Sequence, residues 1–126
     1  MSSTMEVVRS LPAGDGITVV VAYLRTDISG ASQARHRAAI EKFCVERGYR
    51  IVEWVAADLH RNAAPLMRLL TARDNAGAHA VVTPGADHLG SGVATISAVA
   101  YVITLEPPAI WWRGERLCDN EFPSRS

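Results

Sequence analysis

Three aspartates, Asp27, Asp58 and Asp87, each stand shortly after an apolar run that reads as a strand. In a parallel sheet all three would reach the C-terminal edge, where open α/β sheets bind their ligands. Three carboxylates there are candidate ligands for Mg²⁺ and, through it, for a phosphorylated small molecule. The same positions suit plainer roles, with Asp27 pairing with Arg25 and the others capping turns or helices. An aspartyl-phosphate at Asp27 calls for a metal and a nearby cation, yet the sole lysine, Lys42, falls in mid-helix. His36, His60, His79 and His88 show no paired spacing on one helix, so no zinc and no other cofactor is expected. Cys44 and Cys118 lie far apart and match no metal-ligand pattern, and Cys44 falls on the apolar side of a predicted helix.

The elements that must position these residues alternate. Ile17 to Tyr23 is a β-branched run without polar alternation, suited to a strand buried on both faces. A polar turn over Ser29 to Ser32 leads to a helix from Gln33 to Arg47, and Gly48 is its natural C-terminal stop. Arg50 to Val55 reads as a second strand and Ala56 to Ala64 as a loop. Pro65 opens a helix with Leu66, Leu69, Leu70 and Arg73 on one face, closed by Gly77. Ala80 to Thr83 is a third strand, stopped by Pro84-Gly85. Gly92 to Thr104 is read as an apolar helix broken by Pro107-Pro108, and Ala109 to Arg113 as a last strand. This order predicts a three-layer α/β domain over residues 17–113, with a mostly parallel sheet of four to five strands flanked by helices. Residues 1–16 are expected to be a flexible leader and residues 114–126 a polar tail.

Composition narrows the function. The 126 residues fit one domain, and 13 basic side chains balance 13 acidic ones. A protein that grips duplex DNA alone usually carries a basic excess, because phosphate neutralisation supplies much of the affinity. Arg25 to Arg50 holds six basic and three acidic residues, which suits a solvated helix face. Arginine outnumbers lysine twelve to one, a bias expected of a GC-rich bacterial genome. The N-terminus lacks the basic-then-apolar order of a signal peptide, and no apolar run is long enough to span a bilayer. The expected location is therefore the cytoplasm.

Three blocks carry a resemblance. Ala22-Tyr23-Leu24-Arg25-Thr26-Asp27 is similar to a Tyr-x-Arg-Val-Ser strand end. His36 to Cys44, running into Gly48-Tyr49-Arg50-Ile51-Val52, is similar to a helix that begins at glutamine and leads to Gly-Tyr-x-Ile-Val. Ala64-Pro65-Leu66-Met67, with Val81-Val82 and Asp87-His88-Leu89-Gly90-Ser91, is similar to an Arg-Pro-x-Leu helix start and an Asp-Arg-Leu-x-Arg signature. In this order, over about residues 17–105, the chain resembles the catalytic domain of the serine recombinases, the resolvase and invertase family. The resemblance implies a resolvase-like fold and a DNA recombination setting. In that family a serine attacks a DNA phosphodiester while arginines stabilise the developing charge. Here Arg25 and Asp87 match the pattern. Asp27 stands at the nucleophilic serine, His36 at the helix glutamine, Ala64 at the arginine before proline, and His88 and Ser91 at the two arginines after Asp87. An aspartate at position 27 has no hydroxyl to attack with and repels phosphate, so the expectation is a pseudoenzyme. The expectation is that the DNA-binding domain that active members carry after the catalytic one is absent.

An apolar helix without a charged face needs cover on more than one side, which predicts a homodimer. Trp111 and Trp112 alternate on a strand, so one ring fills the core while the other is free to anchor an interface. Val93, Ile96, Tyr101, Trp111 and Trp112 are the candidate interface residues. The preferred expectation is an inactive recombinase-like domain used in self-association or in binding a protein partner. The alternatives are Mg²⁺-dependent phosphate-ligand chemistry at the acidic edge and an accessory role beside an active recombinase. Strong DNA binding by this chain alone is not expected.

Overall fold

The computed structural model describes residues 18–58, 64–106 and 108–117. The leader expected over 1–16, most of the loop expected before Ala64, and the tail beyond Leu117 lie outside these residues. In chain order the elements are β1 (Thr18–Arg25), α1 (Thr26–Ser29), a 3₁₀ turn (Gly30–Ser32), α2 (Gln33–Arg47), β2 (Tyr49–Ala57) and α3 (Pro65–Ala76). They continue with β3 (Ala80–Thr83), a 3₁₀ turn (Ala86–His88), α4 (Gly92–Ser97), β4 (Tyr101–Leu105), β5 (Pro108–Trp112) and β6 (Glu115–Arg116). One six-stranded sheet runs in the order β2-β1-β3-β4-β5-β6. The pairs β1–β2, β1–β3 and β3–β4 are parallel, and β5 and β6 add antiparallel pairs at the far edge. The sheet is thus mixed and one to two strands wider than the sequence predicts.

Side-chain alternation on β1 explains the layers. Val20 and Ala22 pack on one face with Ile40, Phe43 and Cys44 of α2. Val21 and Tyr23 pack on the other with Leu69 and Ala72 of α3 and Ile96 of α4. Burial on both faces is why the run carries no polar alternation. Both long helices end as expected, with Gly48 and Gly77 in the left-handed conformation at φ 73° and 64°.

β2 forms the outer edge, and its register slips by one residue. Val20 pairs with Ile51 and Val21 with Glu53, leaving Val52 as the extra residue of a bulge. The bulge reverses which face each parity serves. Tyr49 and Ile51 point to the α2 side, as does Trp54, whereas Val55 and Ala57 point to the α3 side.

The helix expected over Gly92 to Thr104 is corrected. Helix α4 ends at Ser97, and Tyr101–Leu105 is strand β4, hydrogen-bonded between β3 and β5. Val102, Ile103 and Thr104 are β-branched and buried there, which is the better home for an uncharged β-branched run. The argument for a dimer from an apolar helix therefore falls away. The interface candidates are corrected with it. Ile96 and Tyr101 are buried, and Val93 is half-buried against the α3-side core. Trp111 packs on the α3 side and Trp112 on the α2 side, stacked on Tyr101 with ring centroids 4.4 Å apart. Neither tryptophan is left exposed. The start of the expected tail also belongs to the fold. Arg113 and Gly114, at φ 53° and 83°, make the two-residue turn into β6. Their amides donate to the carbonyl and hydroxyl of Ser97, which holds the non-glycine residue in that conformation.

Candidate functional site

The crossover from β1 to β2 passes through α2, and that from β2 to β3 through α3, on opposite faces. The C-terminal ends of β1 and β3 therefore flank a topological switch point, the place where such sheets open a crevice. Arg25, Asp27, His36, Ala64, Asp87, His88 and Ser91 gather here.

Arg25 ends β1 and Asp27 follows in α1. Arg25 Nε donates to Asp27 Oδ1 at 2.8 Å and Nη2 to Oδ2 at 2.7 Å, a fork that holds both groups. Only 16% and 15% of the two side chains is exposed. This hydrogen bonding raises the Arg25 pKa further, against the opposing effect of its partial desolvation.

His88, in the 3₁₀ turn after β3, is buried. Its Nδ1 accepts the Arg25 amide N–H at 2.9 Å, so the ring proton of the neutral form sits on Nε2. Burial pushes the His88 pKa down, opposed by the negative charge of Asp87. Beside it, the His36 ring stands edge-on with centroids 5.6 Å apart. His36 Nδ1 lies 2.7 Å from the Ser29 hydroxyl, and its Nε2 lies 3.3 Å from Arg35 Nη2. Arginine only donates, so Nε2 accepts and Nδ1–H donates to Ser29 Oγ.

Two cavities open at this edge and share His88 as a wall. The larger, about 420 Å³, lies toward the start of α3 and takes in Tyr23, Arg25, Ala64, Leu66, Met67 and Ser91 among its lining. The smaller, about 150 Å³, is bounded by Ile28, His36, Pro84, Asp87 and Glu106. Ala64, Arg25, His88 and Ser91 thus meet on one cavity, and His36, Asp87 and His88 on the other. Ala64 precedes α3 without offering it a side-chain cap.

The three aspartates are not brought together as a metal set. Asp27 is engaged by Arg25, Asp58 follows β2, and Asp87 lies on the smaller cavity. Among the described residues no group of three His, Cys, Asp or Glu side chains is placed to hold a metal ion. No helix among them is long and apolar enough to cross a membrane.

Two residues of the site were given no role from the sequence. Ser29, in a stretch read as a polar turn, is buried against His36. Tyr23 reads as part of a buried strand, yet its hydroxyl is buried with no hydrogen-bond partner among the described residues. The signal for Tyr23 is a phenol at the end of an otherwise aliphatic strand. Searches against family models, curated proteins and solved structures give no match to this chain.

Proposed function

We propose that this chain is a catalytically silent, resolvase-like relative of the serine recombinase catalytic domain that works by self-association or by binding a protein partner. The observation that carries the reading is the closed Arg25–Asp27 fork. The one arginine that matches the family pattern is neutralised by the residue standing where the nucleophile belongs. A phosphodiester entering here meets a carboxylate and loses the cation that should receive it. His88 is no substitute cation, because burial favours its neutral form. Ala64 and Ser91 bring no charge. Loss of a single transition-state donor commonly costs about 2.7–4 kcal/mol of activation free energy, and the pattern is short of three.

The binding part of the reading follows from the resemblance and the lost cationic cradle alone, for the exposed Val45 on α2, Met67 on α3 and Val99 before β4 sit on separate elements and make no shared patch. Two measurements test the two parts. Supercoiled plasmid incubated with the chain, and with its Asp27→Ser variant, is expected to stay uncut and to form no protein–DNA adduct. An adduct with either protein would overturn the silent reading. Sedimentation velocity over a wide concentration range is expected to show a reversible dimer, and a strict monomer throughout would remove self-association.

A further inference from the structure

We infer that the larger cavity, on the α3 side of the sheet, is a binding site for a small molecule with an acceptor-oxygen head, carboxylate or carbonyl, on an apolar body. This goes beyond the reading above and does not depend on it.

Tyr23 is fully buried and lines this cavity, and its hydroxyl has no partner among the described residues. Native proteins leave few such groups, because a desolvated donor without an acceptor is destabilising. Burial raises the Tyr23 pKa, so the group is a phenol and a donor.

A second set of donors belongs to residues that line the same space from a different element. The first amides of a helix have no acceptor within it. In the twelve-residue α3 the residue ahead is Ala64, which caps nothing, and the first is Pro65, which has no N–H. Leu66 and Met67 therefore present unclaimed first-turn amides, and both residues line the cavity. A helix start of this kind favours an acceptor, and an anionic one more strongly.

The wall chemistry selects the ligand. Arg25 is already matched by Asp27, so this side offers neutral donors rather than net positive charge. The Asp27 carboxylate, though not on the cavity wall, offsets the Arg25 charge that would hold a phosphate dianion, a penalty that a singly charged or uncharged head does not meet in full. Pro65, Leu66, Met67 and Leu89 supply an apolar lining. A volume near 420 Å³ is within the ordinary range for a small-molecule pocket.

The test is an amide NMR titration of the full chain with benzoate, benzamide and inorganic phosphate, each alone. Saturable shifts at Tyr23, Leu66 and Met67 with benzoate, benzamide or both are expected, at lower concentration than any response to phosphate. Binding by only one of the two assigns the head as carboxylate or as neutral carbonyl. Tyr23→Phe is expected to raise the thermal midpoint of the unliganded chain and to weaken the organic probe about tenfold, the equivalent of one hydrogen bond. Ala64→Asp, whose carboxylate caps α3 from within, is expected to stay folded and to compete with benzoate. No saturable shift with either organic probe, binding unchanged in Tyr23→Phe, or tighter binding of phosphate would overturn the proposal.

Discussion

The backbone N–H of Arg25 donates to Nδ1 of His88 at 2.9 Å, and at the other end of β1 the Val19 N–H donates to Nδ1 of His79 at 3.1 Å. Strand β3 is half as long as β1 and pairs with only Val20 to Ala22 of that strand. Two imidazoles thus extend the ladder where the neighbouring backbone runs out, one on each side. An acceptor of this kind exists only while Nδ1 is unprotonated.

Stability is therefore expected to fall in mild acid. Folding holds His88 neutral and its pKa below the ordinary 6.5, so the unfolded chain binds more protons as pH drops through and below that value. The contribution is complete above about pH 6.5 and is lost progressively as pH falls toward the folded pKa. Urea denaturation of wild type and His88→Leu across this window checks it. The variant should be less stable at pH 7.5 by about 1–3 kcal/mol, the cost of an unpaired buried amide, and the gap should narrow in acid.

Asp27→Asn keeps the shape of the side chain and removes its charge, leaving the mostly covered Arg25 guanidinium without its counter-ion. A loss of about 1 kcal/mol or less is expected, because both hydrogen bonds of the fork are open to solvent. Pairing the change with Arg25→Met should recover part of it. A coupling energy of zero in a cycle of both single variants and the double, by urea melts, would show that the fork contributes nothing.

Cys44 is a free thiol, buried on α2, and burial pushes its pKa up to about 12. In a Cys118→Ser background, native protein at pH 8 should resist iodoacetamide, since the thiolate is both scarce and covered. Denaturant should release full labelling. Rapid modification of the native chain, read by mass spectrometry, would contradict the packing of α2.

Trp112 stacks on Tyr101 at 4.4 Å with planes 18° apart, and Arg113 Cζ lies over the Trp112 ring, 5.2 Å from its centroid. Trp112→Ala is expected to cost about 2–4 kcal/mol of stability. Its effect on sedimentation should be small once the folded fraction is matched, because the ring packs within one chain.

The parts of the fold read from sequence were those fixed by local chemistry. The helix bounds of α2 and α3 follow from Gly48, Pro65 and Gly77, and the early strands from β-branched runs. Gly92 to Thr104 reads as one helix because length and apolarity alone do not separate a buried helix from a short helix followed by a strand. The β-branched Val102, Ile103 and Thr104 were the usable hint. Faces on β2 were illegible for another reason. Tyr49, Ile51, Val55 and Ala57 share one parity, yet the extra residue at Val52 splits them between two layers. At the site, Arg25 with Asp27 and His36 with His88 were foreseeable as neighbours. The partnerless Tyr23 hydroxyl was not, because satisfaction of a buried group depends on every surrounding element.

The irregularity at Val52 bears on how the molecule behaves in a crowded solution. An outermost strand of nine residues is a template on which further copies can stack, backbone to backbone, without limit. A bulge interrupts that template, and exposed Arg50 and Glu53 put charge beside the break. The growing end that a fibre requires is thereby interrupted along this edge.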